Sequence, residues 1–386
     1  MKTSPCVICI SLFSAGLVAT VAFQAAGQDF YIEGGPVARG GMQVKVSGSS
    51  YVQMLGLHAA SAPLSEPGSI GSRGAYADRT YEDGYVKLDQ GTLNPDAVGG
   101  LGNTWNWAYD NTAQFNASAK TLSFHQQGEV GYTALHDNDV TGQDDAVGAG
   151  VQIQAGWNVV KQGNWRVDLG VGFQGIWGAS SKISLNSYLE RTSRLNTTDT
   201  YDVAATVDPD TGFPGPQTAP GGYAGQFSVP GPTITNIPSS RTSQRTDLST
   251  AQNNVNFNFQ TDFYELIFSP RITYLATPTL ALNVTPALGV SYLAVTVDRT
   301  ETFTETMPGG GTTTLGSWHD HTSTGGVRFA AGITAGADLE LGKGYYAGIL
   351  GGYQWAVDAV QIDIGPNAAA VSGSGFVAGL VVGKRF

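Results

Sequence analysis

Three sets of residues have types and spacing that could carry chemistry. Gly170, Gly172 and Gly175, in the run Gly-Val-Gly-Phe-Gln-Gly, have the spacing of a phosphate-binding glycine loop. His136-Asp137-Asn138-Asp139, Asp144-Asp145 and His319-Asp320-His321 place imidazoles beside carboxylates, which could activate water or hold a metal. Arg166, Asp168, Glu265, Arg271, Arg328, Asp338, Glu340, Asp358 and Arg385 scatter opposite charges through segments that are otherwise apolar. What each set can do depends on the element that positions it.

The glycine run lies within Gly-Asn-Trp-Arg-Val-Asp-Leu-Gly-Val-Gly-Phe-Gln-Gly-Ile-Trp-Gly. Trp165, Val167, Leu169, Val171, Phe173 and Trp177 occupy the odd positions; Arg166, Asp168, Gly170, Gly172 and Gln174 occupy the even ones. Period 2 is a strand with one apolar and one polar face. A dinucleotide loop must instead join a strand to a helix, so that backbone amides face the phosphates. These glycines are strand residues whose missing side chains leave room on the polar side.

The same alternation recurs over 147–159, 264–274, 280–292, 327–341, 345–360 and 373–386, with 121–130 as a further, weaker strand. Many of these runs exceed the 5–6 residues of an average strand and match or pass the 9–11 that cross a bilayer on a tilt. Short turns alternate with long connections (180–255, 299–325 and 361–372), the asymmetry of a membrane barrel. The expected fold is all-β: an antiparallel transmembrane up-and-down barrel of eight strands over 119–386, or ten with an extra hairpin. Trp157, Trp165, Tyr274 and Tyr345 fall near the short turns, and Trp177, Tyr264, Tyr292 and Phe329 near the opposite ends. Two belts of amphipathic rings are what two membrane interfaces require. The nine scattered charges should point into the lumen, where opposite signs pair because an unpaired buried charge is costly. His125, on the polar phase of 121–130, is expected as a luminal hydrogen-bonder.

Residues 1–27 read as an export signal: Lys2, an apolar stretch to about Phe23, then Ala25-Ala26-Gly27 with cleavage before Gln28. Cys6 and Cys9 both lie within it, which leaves the mature chain without thiol chemistry. The 386 residues carry net charge −11, a poor match to nucleic acid, so no such partner is expected. Residues 28–118 are read as a periplasmic or luminal segment or as extra strands, with candidates at 42–54, 79–86 and 104–110 and a Ser/Gly/Pro-rich linker at 58–75. The 180–255 connection, rich in Thr, Ser, Pro and Gly, is expected to be a mobile surface loop.

Phe376, Ala378, Leu380, Val382 and Phe386 alternate up to a terminal aromatic, and so resemble the assembly signal of bacterial outer-membrane β-barrel proteins; Lys384 departs from the pattern. The chain is similar to small OmpA-type barrels in architecture. That resemblance implies outer-membrane lipids and the barrel assembly machinery as partners, and it implies no activity. The expected role is structural or interactive at the cell surface, followed by a narrow pore for small polar solutes and then by a hydrolase using loop His and Asp. The His-x-His spacing is weak on a loop, and no catalytic residue, metal or cofactor is expected.

Overall fold

A computed structural model describes residues 29–65, 78–88, 102–104, 106–204, 223–224 and 233–386. The expected signal segment, residues 66–75 of the expected linker and 205–222 of the long connection lie outside them. Eight strands form the barrel: β1 (Phe30–Gly48), β2 (Gly142–Gln162), β3 (Trp165–Ala204), β4 (Ser240–Leu275), β5 (Leu280–Thr306), β6 (Thr312–Gly342), β7 (Tyr345–Ala356) and β8 (Gly375–Arg385). Each pairs antiparallel with the next, and β8 pairs with β1 to close the ring. Closure leaves no free edge in the bilayer, where an unpaired backbone group would cost several kcal/mol.

The first stave is β1, not 121–130. Its outward face carries Ile32, Gly34, Pro36 and Ala38, with only one bulky apolar residue, so its hydrophobic alternation is faint. Leu122 and Phe124 are buried, but in a separate cluster far along the chain's excursion from the barrel. Their strand, Thr121–Asp137, pairs with β3 at residues 188–202, beyond the membrane belt. The 79–86 and 104–110 segments do not raise the barrel to ten strands. Arg79–Tyr81, Gly84–Lys87 and Asn106–Tyr109 pair among themselves as a small sheet apart from the ring.

The outward face is an apolar belt: Phe329 is 74% exposed, Phe376 69% and Leu288 67%, flanked by Leu266, Phe268, Ile333, Ile349 and Val382. Such exposure is stable only where the solvent is itself apolar. Trp165, Tyr274 and Tyr345 are exposed at the short-turn rim, and Trp177, Tyr292 and Phe329 toward the other. Trp157 and Tyr264 are half-buried at the same two levels. Lys384 sits 4.7 Å over Phe386 and 5.0 Å over Tyr345, so the residue that departs from the apolar pattern is a snorkelled cation on the aromatic rim.

Most of the long connections are strand. β3 and β4 continue beyond the belt to Ala204 and from Ser240, β5 and β6 meet at a turn over 307–311, and 360–371 is a hairpin that pairs with β1 at Val44–Gly48. Thr, Ser and Asn on the outward face lower the mean hydropathy, yet Ile183, Val255, Phe257 and Phe259 on the inward face are all buried. Alternation therefore persists where a compositional reading saw a mobile loop. Residues 58–65 are also pinned: Pro63 bridges to Tyr132, and Leu64 N–H donates to the Tyr132 carbonyl.

Two glycine bulges divide the interior. In β1 the register against β2 shifts between Arg39 and Met42, with Gly41 at φ +76°. In β3, Gly178 at φ +61° lies where the pairing to both neighbours slips. A bulge moves the inward phase by one residue. Below these glycines Glu33, Arg39, Asp168 and Gln174 face inward; above them Met42, Val44, Val46, Ala179 and Ile183 do.

Candidate functional site

The lumen between the short turns and the bulges holds the charged residues. Arg271 on β4 is 4% exposed and spans the barrel. Its Nη1 donates to Glu33 Oε2 on β1 at 2.5 Å and its Nη2 to Asp338 Oδ2 on β6 at 2.6 Å. Tyr346 OH donates to the same Glu33 oxygen at 2.8 Å. Arg385 bonds Asp338 at 3.2 Å and pairs with Glu340. Arg166 Nε donates to both oxygens of Asp168, at 2.6 and 2.9 Å, and Asn158 adds a third bond at 3.0 Å.

One level higher, Arg39 is fully buried. It donates to Gln354 Oε1 at 2.6 Å, lies 3.5 Å from Glu265 Oε2, also reaches the Gly373 carbonyl, and stands 3.9 Å over the Phe263 ring. Glu33 and Arg39 on β1 thus face Arg271 and Glu265 on β4, with the charge order reversed. Because the two strands run antiparallel, each residue meets its opposite sign. These pairs connect strands that share no ladder, so they tie the wall across its width.

Seven of the nine expected luminal charges are inside: Arg166, Asp168, Glu265, Arg271, Asp338, Glu340 and Arg385. Arg328 keeps the inward phase of β6, paired with buried Ser291, but lies at the upper rim, its guanidinium donating to the Val327 and Ala359 carbonyls. Asp358 is exposed in the turn after β7 at φ +67°, a left-handed position that Asp tolerates better than most residues. Glu33 and Arg39 were missed because β1 was not recognised as a stave; the alternation of Tyr31, Glu33, Val37 and Arg39 was their only signal.

A cavity of about 30 Å³, able to hold ordered water, is bounded by Glu33, Gln152, Gln154, Arg271, Asn283 and Asp338. Above it the interior changes character. Val37, Met42, Val44, Ile176, Phe257, Phe259, Phe263, Leu293 and Val295 pack with the 360–371 hairpin into one apolar cluster. Gly170 and Gly172 are lumen-side strand residues. A Cβ on Gly170 would meet the Gln154 amide at 2.7 Å, so the glycine makes room for a neighbouring side chain.

The histidines lie outside the lumen. His125 is not luminal: it is exposed beyond the belt, with Nδ1 2.6 Å from Asp83 Oδ2. His136 Nε2 is 3.1 Å from the Asn186 carbonyl. His58 is stacked flat on Tyr132 at 3.9 Å, with Nδ1 2.7 Å from Tyr188 OH and 3.2 Å from the buried Glu190. His319 and His321 are on β6, not on a loop, and both approach Asp298. Among the described residues no group of three His, Cys, Asp or Glu side chains is placed to hold a metal ion.

Beyond the belt two further clusters order the excursions. Asp199, fully buried, accepts from Tyr81 OH at 2.7 Å and from Arg241 at 2.6 and 2.7 Å, beneath a core of Trp107, Tyr109, Phe124 and Tyr201. Glu301 accepts the first two amides of the short helix α1 (Tyr51–Leu55) at 2.9 and 3.1 Å while pairing with Arg299. Burial and the Asp199 carboxylate push the Tyr81 hydroxyl far above its ordinary value, and burial with the Glu190 contact does the same for Tyr188.

No family model and no curated protein matches the chain. Among solved structures it aligns with a Pseudomonas aeruginosa FadL homologue (10% identity over 93% of this chain and 90% of that one, TM-score 0.19). It also aligns with the Pseudomonas putida toluene transporter TodX (8%, 95% and 92%, TM-score 0.16). A third alignment is with OmpT, an outer membrane protein of Vibrio cholerae (7%, 69% and 99%, TM-score 0.11). At these identities and scores nothing about role carries over.

Proposed function

We propose that this chain is an outer-membrane barrel with a closed lumen, whose role is to hold and present an extended β-structure at the cell surface. The observation that carries this reading is the double seal: a cross-linked set of ion pairs below the bulges and an apolar core above them. A solute would have to break several buried ion pairs, at about 3–5 kcal/mol for each partner removed, and then cross a dry layer. By the usual sidedness of such barrels the short turns face the periplasm and the long strands face outward. From Trp177 to Ala204, β3 alone has a contour of roughly 90 Å at about 3.3 Å per residue. The outer-membrane lipids meet the apolar belt, and the barrel assembly machinery inserts the chain. No catalytic step is part of this reading, since His136 and His125 are committed to structural hydrogen bonds.

Single-cysteine labelling of intact cells tests it, because the chain's cysteines are confined to positions 6 and 9. Ser243→Cys, on the exposed part of β4, should react with a membrane-impermeant maleimide. Thr277→Cys, at a short turn, should react only after lysis, and Ser269→Cys, buried in the lumen, only after unfolding. Labelling of Thr277→Cys in intact cells would reverse the orientation, and rapid labelling of Ser269→Cys in the folded protein would refute the closed lumen.

A further inference from the structure

We infer that the outer face of the β3–β4–β5 ribbon, centred on a row of β4 amides, binds the sugar chains of the glycolipid in whose leaflet the barrel sits. The inference rests on the orientation proposed above. In β4 the run Asn254-Val-Asn-Phe-Asn-Phe-Gln260 alternates strictly. Val255, Phe257 and Phe259 are buried, while Asn254, Asn256, Asn258 and Gln260 face outward, exposed or half-buried. Asn is depleted in strands, where its side chain competes with the backbone ladder. Three in alternate positions therefore work against the strand, and the fold makes little use of them. Asn254 accepts from Gln252 at 2.9 Å, but among the described residues the side chains of Asn256, Asn258 and Gln260 bond no other group.

The neighbouring strands extend the row into a mesh. β5 sets Thr302, Thr300 and Thr296 opposite Asn254, Asn256 and Gln260. On the other side β3 sets Ser184 against Asn256 and Ser180 against Gln260. Strands stand about 4.8 Å apart and alternate residues roughly 7 Å apart, so donors and acceptors recur on the scale of a sugar ring. Lys182 on β3 and Asp298 on β5 both pair in register with Asn258 and are opposite in sign, which leaves the mesh neutral.

The chemistry of the mesh selects its occupant. It lacks the aromatic and apolar anchors of a protein interface and the clustered cations that phosphate requires. Uncharged groups that donate and accept match the hydroxyls of a sugar. Each such bond is weak in water, so the ligand is a chain that engages many at once. Continuity decides which chain. β4 and β5 pair without a register shift from Thr250 to Phe268, so the amides share one face with Leu266, Phe268, Leu288 and Val290 of the lipid belt. A glycolipid whose acyl chains lie on the belt has its sugars against the amides.

The test is native gel electrophoresis of refolded full-length protein in detergent. The gel is cast with the polysaccharide of outer-membrane lipopolysaccharide, freed of its lipid by mild acid. The wild type and Gln162→Ala, a change at a short turn, should be retarded alike. Asn256→Ala/Asn258→Ala/Gln260→Ala should need about tenfold more polysaccharide for the same retardation. Heat-modifiable mobility shows that each variant is folded. No retardation of the wild type, or equal retardation of the triple variant, would overturn the proposal. Equal retardation by dextran would overturn the assignment to the membrane's own glycolipid. A wild-type dimer in sedimentation that the triple variant lacks would give the face to a second copy instead. Soluble polysaccharide reaches either rim, so failure here is separate from failure of the orientation, which the cysteine labelling reads.

Discussion

Arg271 on β4 and Glu33 on β1 are hydrogen-bonded across the barrel although two strands stand between them in the wall. Six residues further along each strand, Arg39 and Glu265 repeat the contact with the signs exchanged. The pairs act as struts, and their energetics follow from burial: removing one partner strands a charge, whereas removing all of them strands none.

Arg271→Met should therefore destabilise the barrel by about 3–5 kcal/mol, because Glu33 and Asp338 then face each other in a closed lumen. Glu33→Gln should cost less, since Arg271 keeps Asp338 and the amide oxygen still accepts from Tyr346. The triple variant Arg271→Met/Glu33→Gln/Asp338→Asn should recover most of the loss. Urea unfolding in detergent micelles, followed by tryptophan fluorescence, reads all three. A triple variant no more stable than Arg271→Met would contradict the ion-pair account.

The bulge at Gly178 gives a prediction about backbone alone. Its φ of +61° disfavours an L-residue, while a Cβ placed there meets nothing within 4 Å. Gly178→Ala should cost about 1–2 kcal/mol, and Gly178→Asn less, because Asn adopts the left-handed region more readily. The same unfolding assay checks the order. Equal stability of all three forms would mean that the bulge is not held in this conformation.

Alkaline pH should loosen the region beyond the belt. Burial raises the hydroxyls of Tyr81, Tyr188 and Tyr201 above their ordinary value of 10.0, and carboxylate contacts add to the rise at Tyr81 and Tyr188. A raised pKa contributes stability that is fully present below the unfolded value of about 10 and is lost as pH climbs through the higher folded values. Proteinase K cleavage within residues 79–137 should accelerate above that point while the barrel keeps its heat-modifiable mobility. A cleavage rate that stays flat with pH would count against it.

Asp199→Ala should loosen the same region at neutral pH. It removes the carboxylate that accepts from Tyr81 and Arg241 at once, at a cost of about 1–3 kcal/mol. Hydrogen exchange should rise in Arg79–Tyr81 and Gly84–Lys87 and not in β7 or β8. A uniform rise across the chain would show that the distal sheet and the barrel unfold together.

The barrel was legible wherever the outward face is bulky: Leu280, Leu282, Val284, Leu288 and Val290 leave no doubt about β5. It was illegible in β1, where lipid meets Gly34, Pro36 and Ala38 and the phase shifts at Gly41. The same blind spot hid one partner of each pair that joins β1 to β4, since Glu33 and Arg39 belong to that strand. Composition also misled over 180–204 and 240–255: few of these residues are apolar, yet continuous cross-strand pairing makes both segments strand. Long-range pairing, such as Asp298 with His321, leaves no local trace.

The central claim is that the lumen is shut by ion pairs below and apolar packing above, and single-channel recording in a planar bilayer tests it most directly. Refolded wild-type protein, its folding verified by heat-modifiable mobility, should give no discrete conductance steps in molar KCl. Reproducible steps from protein so verified would contradict the account and make the same charged residues the lining of a pore.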